Sequence, residues 1–115
     1  MGGDHGPENT VPGALAALPA ESPFDLHLYG DRAAIESELS NHEHAGLPVS
    51  VIHCTQDIEM GESPATAIRS KQDSPIVRAM TDHRKGGVQA VVSAGSTGAM
   101  VAASLIILGR IPGVD

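Results

Sequence analysis

Apolar positions in the first forty residues follow two different periods. Residues 8–18 place apolar side chains three or four positions apart, which predicts an amphipathic helix with a proline near its first turn. Residues 25–30 alternate apolar and polar side chains and end at a glycine, as expected of a strand followed by a turn. Asp31 is placed to cap a short helix over 32–39 by accepting hydrogen bonds from its first backbone N–H groups.

The same alternation of strand and helix continues in the middle of the chain. Residues 49–53 are rich in β-branched side chains and follow a proline, which predicts a second strand. A serine followed by a proline occurs at 63–64 and again at 74–75, and each pair predicts a capped helix with proline at its first position. The glycine pair at 86–87 marks the end of the second of these helices.

The last third of the chain predicts a strand, a glycine-containing turn and a helix. Residues 88–93 are valine-rich and predict a third strand, which leads through the loop 94–98 into an apolar run over 99–108. At this length the run is too short to span a bilayer and predicts a buried helix that Gly109 ends.

This order of elements predicts an α/β fold with a mostly parallel sheet in a single domain over 1–115. The chain opens on loop-forming residues with no apolar strand before them, and it stops soon after an apolar helix. We therefore expect both ends to be truncations, although a short protein could bury the apolar helix in a dimer interface. The family resemblance described below implies the N-terminal part of one domain that lacks its first strand and its C-terminal portion.

Composition and charge limit the kinds of core and ligand that fit this chain. Hydrophobic residues make up 41% of the chain and aromatic residues only 2%, so the core must be aliphatic. Residues 1–62 carry eleven acidic side chains and one base, a net charge of −10, whereas residues 63–115 carry +3. An anion is therefore expected to bind in the second half. With no basic stripe and few aromatics, nucleic-acid binding is not expected. Cys54, the only cysteine, excludes an intramolecular disulfide and fits a reducing compartment.

The segment most suited to chemistry is the turn between the third predicted strand and the last helix. Open α/β sheets bind ligands where a strand ends and a helix begins, and exposed N–H groups at a helix start favour anions. Glycines allow close approach of a ligand, and hydroxyl groups add donors. The candidate residues for a phosphate or oxyanion site are Ser93, Gly95, Ser96, Thr97 and Gly98. A tight turn with a Ser/Thr cap explains the same residues equally well.

Two further segments are weaker candidates. The opening Gly2-Gly3-Asp4-His5 could present a histidine for proton transfer with Asp4 to orient it, or it could be a frayed terminus. Arg69 and Lys71 suit anion contacts but also fit the C-terminal dipole of a helix.

The other histidines and the cysteine suggest no site. His42 and His44 lie two residues apart in a polar loop without a third ligand at a recognisable spacing, so no metal is expected. His27 and His53 fall in the two predicted strands and are expected to be packed or edge residues. Cys54 has no second cysteine and no identifiable activating base, and it is expected to be a small buried side chain.

Taken together and in order, six segments resemble the PlsX-type phosphate acyltransferase family. They are Met1-Gly2-Gly3-Asp4-His5-Gly6-Pro7, Leu28-Tyr29-Gly30-Asp31, Ile58-Glu59-Met60, Ala67-Ile68-Arg69-Ser70-Lys71-Gln72-Asp73-Ser74, Val91-Val92-Ser93-Ala94-Gly95-Ser96-Thr97-Gly98-Ala99 and Gly109-Arg110-Ile111-Pro112-Gly113-Val114-Asp115. The family usually has an apolar strand before the first segment and continues well past the last one. Ser96 stands where the family often has asparagine.

The resemblance implies a three-layer α/β/α sandwich, similar to isopropylmalate dehydrogenase, in a cytoplasmic homodimer that associates peripherally with the membrane. It implies transfer of a fatty acyl group from acyl carrier protein to inorganic phosphate, which yields acyl phosphate for phospholipid synthesis. No metal or organic cofactor is expected. The 115-residue chain alone is expected to be inactive.

Other interpretations remain open from the residues. A related phosphotransacetylase-like or dehydrogenase-like enzyme would share much of this pattern, although the chain has no GxGxxG motif. A non-catalytic fragment that binds an anion or forms a dimer through the apolar helix is the alternative of another class.

Overall fold

The computed structural model describes residues 5–19 and 21–114. The first half contains α1 (Pro7–Ala17), β1 (Leu26–Gly30), α2 (Arg32–Ser40) and β2 (Val49–His53). The second half contains α3 (Pro64–Ser70), α4 (Pro75–Arg84) and α5 (Thr97–Ala103), which continues as a π-helical turn over Ser104–Leu108.

The strands β1 and β2 form a parallel two-stranded sheet, in register from Leu26 opposite Val49 to Gly30 opposite His53. The helix α2 connects them, so the unit is a β-α-β crossover. Helices and a parallel sheet place the chain in the α/β class, as predicted. The finer expectation of a three-layer sandwich stays a prediction.

The boundaries of the predicted elements are reproduced closely where local signals define them. Pro7 occupies the first turn of α1, and the Asp31 carboxylate caps α2 by accepting a hydrogen bond from Ala34 N at 3.0 Å. Proline also stands in the first turn of both α3 and α4, as predicted, but Ser63 and Ser74 do not cap them. Their hydroxyls donate instead to Thr66 Oγ1 and to the Lys71 carbonyl, so these helices begin on proline geometry without a side-chain cap.

Two aliphatic clusters hold the molecule together. In the first, α1 and α2 bury Val11, Leu15, Ile35 and Leu39 against residues of the sheet. The second cluster joins α3, α4 and α5 through small and branched side chains, namely Ile58, Ala67, Ile68, Val77, Met80, Ala99 and Ala103. Burial of these side chains is the main stabilising term available to a chain this poor in aromatic residues.

The predicted third strand is wrong. Residues 88–93 have no strand geometry, and Val92 is 97% exposed. The described sheet pairs β1 only with β2, while residues 87–96 line the far side of a cavity from β1. A strand depends on hydrogen bonds to a neighbour, and no described strand lies beside 88–93 to supply them.

The last helix is buried on one face only, so the prediction of a buried helix over 99–108 holds for that face alone: Val101 is 54% exposed, while Ile107 packs on the second core cluster. Ala99 and Ala103 are fully buried, whereas Leu105, Ile106 and Leu108 are 49%, 44% and 39% exposed. The packed face contacts α3 and α4, and the opposite face has no described neighbour. Gly109 ends the helix, as predicted, with a left-handed φ of 81° that favours glycine.

Candidate functional site

The loop before α5 is organised by its own hydroxyl groups. Ser93 Oγ accepts a hydrogen bond from Gly95 N at 3.1 Å, which closes a short turn. Ser96 then caps α5 by accepting from Ala99 N at 3.3 Å. Because the first N–H groups of a helix have no acceptor within it, the amides of Thr97 and Gly98 are donors available to a ligand.

Gly98 has a packing role beside any role in binding. A Cβ atom built on Gly98 would lie 2.9 Å from Cγ of Pro64, the first residue of α3. The glycine therefore lets the N-terminal ends of α3 and α5 approach closely. This contact fixes the direction in which the loop amides point.

A cavity of about 910 Å³ lies between this loop and the first half of the chain. Ser93, Gly95 and Ser96 line it, together with Pro7 and Thr10 from the first turn of α1. Most of its wall is aliphatic, with side chains from α1, β1 and the segment after α4. Asp25 and Asp57 also line the cavity, so the wall contains two carboxylates beside its hydroxyl and amide groups. The apolar part of the wall suits the apolar part of an amphiphilic ligand.

The predicted loop residues are not equivalent in this arrangement. Ser93, Gly95 and Ser96 are part of the cavity wall, whereas Thr97 and Gly98 are exposed residues outside it. The contribution of α1 to the wall could not be found from the sequence, since the helix lies about eighty residues earlier in the chain.

The opening segment falls largely outside the described residues. Gly2, Gly3 and Asp4 lie outside the described residues, and His5 is exposed just before α1. Since Pro7 and Thr10 line the cavity, the described start of the chain runs beside it. A role for Asp4 and His5 in proton transfer stays a prediction.

Arg69 and Lys71 belong to different surroundings although they are two residues apart. Lys71 Nζ lies 2.8 Å from Glu62 Oε1 and donates to the Asp57 carbonyl at 2.7 Å. The hydrogen bond from Lys71 lowers the pKa of Glu62 below its ordinary value. The Lys71 ammonium is thus held by a local ion pair, while Arg69 lines a separate cleft of about 420 Å³. Their assignment to phosphate binding stays a prediction.

A polar network that we did not predict joins the carboxyl end of β2 to α4. Asp73 accepts hydrogen bonds from Thr55 Oγ1 at 2.6 Å and Thr55 N at 2.9 Å, and it pairs with Arg78. These bonds from Thr55, with a further contribution from Arg78, lower the pKa of Asp73 to about 2. The Asp73 backbone also exchanges hydrogen bonds with Gln56. A threonine and a glutamine directly after a strand are the only sequence signal for this contact.

A second unpredicted contact ties β1 to α4. Tyr29 OH donates to Asp82 Oδ2 at 2.7 Å, and burial together with this hydrogen bond raises the pKa of Tyr29 well above its ordinary value. Cys54 is 4% exposed, as predicted, and burial raises the pKa of its thiol. A buried thiol with a raised pKa is a poor nucleophile, so Cys54 acts in packing.

The histidines occupy the environments that the sequence suggested. His42 and His44 lie in the loop after α2, and His53 accepts a hydrogen bond from Arg32 N at the end of β2. Within residues 5–19 and 21–114, no three His, Cys, Asp or Glu side chains lie close enough to hold a metal ion. In the same ranges, no helix has both the length and the apolar character needed to cross a membrane.

Comparison with known proteins identifies the family. The phosphate acyltransferase of Clostridioides difficile (strain 630) is 42% identical over 115 residues, which is all of this chain and 34% of that protein. The phosphate acyltransferase of Streptococcus equi subsp. zooepidemicus (strain H70) is 44% identical over the whole chain and 33% of its own length. That of Desulforamulus reducens is 47% identical over the whole chain and 34% of its own length.

The chain spans about a third of the length of these curated relatives. The sequence model of the family described as fatty acid synthesis protein matches residues 1–115, which confirms the resemblance drawn from the six segments. The chain belongs to the fatty acid synthesis protein family.

Proposed function

We propose that the complete gene product transfers a fatty acyl group from the thioester of acyl carrier protein to inorganic phosphate. The acyl phosphate formed would serve phospholipid synthesis. Relatives at 42–47% identity are named phosphate acyltransferase, and the family model covers every residue of the chain. The structural observation that carries the proposal is the loop of Ser93, Gly95 and Ser96, which lines a largely aliphatic cavity.

The proposed reaction needs no covalent intermediate on the protein. A phosphate oxygen forms a bond to the thioester carbonyl carbon, the carbon–sulfur bond breaks, and the thiolate leaves and takes up a proton. The protein must hold phosphate against the carbonyl, stabilise the developing oxyanion and assist the proton transfer.

The loop is suited to the first two tasks. Two serine hydroxyls fix its shape, so its donors are oriented before a ligand arrives and no reorganisation is needed during the reaction. The amides of Thr97 and Gly98 and the Thr97 hydroxyl would bind phosphate or the oxyanion. The aliphatic cavity, which the loop lines through Ser93, Gly95 and Ser96, would hold the acyl chain, the apolar part of the substrate.

The remaining roles follow from the family resemblance. His5, with Asp4, would manage the proton. Because Lys71 is paired with Glu62 and Arg69 lines a separate cleft, the proposal gives neither of them a contact with phosphate. The proposal includes a cytoplasmic homodimer with peripheral membrane association and no metal or organic cofactor. We expect the 115-residue chain alone to be inactive, since relatives about three times as long carry the name.

The test is phosphate-dependent release of free carrier-protein thiol from long-chain acyl carrier protein by the complete gene product. Thr97→Ala should raise the KM for phosphate about ten- to a hundredfold, because a hydrogen bond to a charged group contributes roughly 1.5–3 kcal/mol. Thr66→Ala, an exposed threonine in α3, is the matched control and should leave that KM within about twofold of wild type.

Two results would count against the proposal at different levels. A folded complete protein that releases no thiol in the presence of phosphate would rule out the reaction. Thiol release with an unchanged KM for phosphate in Thr97→Ala would leave the reaction standing and remove the Thr97 hydroxyl from the phosphate site.

A further inference from the structure

A second concave surface, which we call the basic cleft, lies where the C-terminal ends of α3 and α4 meet the π-helical turn. Its volume is about 420 Å³. Three cations line it, namely Arg69, Arg84 and Lys85. The other lining residues are Ile68, Gln72, Thr81, Ile106 and Ile107. None of these eight lining residues also lines the larger cavity beside Ser93, Gly95 and Ser96.

The three cations are not used by the fold. All three are exposed, and within the described residues none of them forms an ion pair, whereas Arg32, Lys71 and Arg78 each pair with a carboxylate. Among the residues that the structure describes, no acidic side chain lines the cleft. The helix dipole explains why a cation is tolerated at each helix end. It does not explain why cations from two helices line one cleft without a carboxylate among them.

The floor of the cleft is aliphatic. Ile107 is partly buried and packs on the second core cluster, while Ile106 beside it is 44% exposed. Leu105, next in the same turn, is 49% exposed. Free inorganic phosphate gains nothing from such a floor. A ligand with carboxylates flanking apolar side chains would match both the cations and the floor.

We propose that the basic cleft docks an acidic helix of acyl carrier protein, and this proposal rests on the function proposed above. Carrier proteins are acidic, and charge complementarity selects this face of the molecule. Residues 1–62 carry a net charge of −10 and would repel such a partner, whereas residues 63–115 carry +3. The opposed charges of the two halves orient the carrier so that it meets the basic cleft.

The test compares two single charge reversals in the complete gene product. Arg84→Glu changes the basic cleft, and Arg110→Glu makes the same charge change at an exposed residue outside it. We expect Arg84→Glu to raise the KM for acyl carrier protein about tenfold, because like charges at an interface are repulsive. The KM for phosphate should stay the same in Arg84→Glu as in wild type. Arg110→Glu should change the KM for the carrier less than about twofold.

Salt and a direct binding measurement complete the design. The KM of wild type for the carrier should rise with ionic strength more steeply than that of Arg84→Glu, since screening acts on the attraction that the variant lacks. Binding of carrier protein without its acyl group, followed by fluorescence anisotropy, should weaken by the same factor in Arg84→Glu. If Arg84→Glu proves unfolded by circular dichroism, the neutral variant Arg84→Gln takes its place, with an expected rise in KM of about threefold.

The failures can be told apart. If wild type binds the carrier through Arg84 but releases no thiol with phosphate, the docking proposal survives and the proposed reaction does not. Equal KM values for the carrier in Arg84→Glu and Arg110→Glu, in an active protein, would overturn the docking proposal. Loss of binding to phosphatidylglycerol vesicles in Arg84→Glu, with carrier binding intact, would overturn it as well and assign the cleft to a membrane surface.

Discussion

The two halves of the molecule differ in secondary structure and in how their helices pack. In residues 7–53, two helices cover a parallel strand pair, and the elements follow the sequence pattern with bounds shifted by one residue at most points. In residues 64–108, three helices pack on one another, and the segment 88–93, which the sequence predicts as a strand, is not a strand in the structure. The first half is strongly acidic and holds a regular fold, whereas the second carries the candidate loop, the basic cleft and the exposed aliphatic turn.

The difference follows from how each half is packed. The first core cluster uses branched aliphatic side chains on α1 and α2, which pack against residues of the sheet. The second uses Ala67, Ala99 and Ala103, which let α3 and α5 approach closely. Close packing through small residues fixes backbone positions accurately. A loop attached to such a pair of helices is suited to holding a ligand, because its donors cannot drift.

The strongest test of this difference in packing adds one methyl group at the contact between Gly98 and Pro64. Gly98→Ala places Cβ 2.9 Å from Pro64 Cγ, and the proline ring at the start of α3 cannot rotate away. We expect a loss of about 1–3 kcal/mol in the free energy of unfolding, as for overpacking in a rigid core. Urea denaturation followed by circular dichroism measures it.

Gly13→Ala is the matched control in the first half. Gly13 lies inside α1, its φ is not left-handed, and a Cβ there meets no atom within 4 Å. Alanine should raise the free energy of unfolding by about 0.5–1 kcal/mol through its better helix propensity. If Gly98→Ala were neutral or stabilising as well, the second half would be no more tightly packed than the first.

The sequence predicted those parts of the fold that depend on neighbours in the chain. The bounds of β2 and the cap of α2 depend on a few adjacent residues, and both were predicted correctly. The error at 88–93 has a different origin, since a strand exists only when a distant segment supplies its hydrogen bonds. The segment 88–93 is rich in valine, as strands often are, but no described strand lies beside it.

The candidate site was predictable to the same limited extent. Serines and glycines between a predicted strand and a helix located the loop, and Ser93 and Ser96 do line a cavity. That Thr10 lines the same cavity, and that Lys71 turns away to Glu62, are consequences of tertiary packing. Arg84 and Lys85 were not singled out, because a cation at a helix end has an ordinary explanation in the helix dipole.

A smaller effect is expected from one of the hydrogen bonds that join the two halves. Tyr29→Phe removes the 2.7 Å bond from β1 to Asp82 in α4. The free energy of unfolding should fall by about 0.5–1.5 kcal/mol, the usual contribution of such a bond. In an Asp82→Ala background the same substitution should have a clearly smaller effect. An equal loss in both backgrounds would mean that the Tyr29 hydroxyl contributes to stability independently of Asp82.

The smallest expected effect is on the way in which the free energy of unfolding depends on pH. Hydrogen bonds from Thr55, and then from Arg78, hold the pKa of Asp73 at about 2, below its ordinary value of 3.8. The unfolded chain therefore binds this proton at a higher pH than the folded one does. The stabilisation by Asp73 is present in full above about pH 4 and is lost as the pH falls toward about 2. Because a third of the side chain is exposed, solvent screens the interaction and keeps its contribution small.

Asp73→Asn removes this titration, so its free energy of unfolding should fall less steeply than that of wild type between about pH 4 and pH 2. At neutral pH the variant should be less stable, since an amide cannot accept from both Thr55 and Arg78 as the carboxylate does. Asp25→Asn, at an exposed aspartate of the first half, controls for the loss of one negative charge. If Asp73→Asn kept the slope of wild type, the bond between the end of β2 and α4 would not depend on the ionised carboxylate. The hydrogen bonds between Gln56 and the Asp73 backbone would then join this end of β2 to α4.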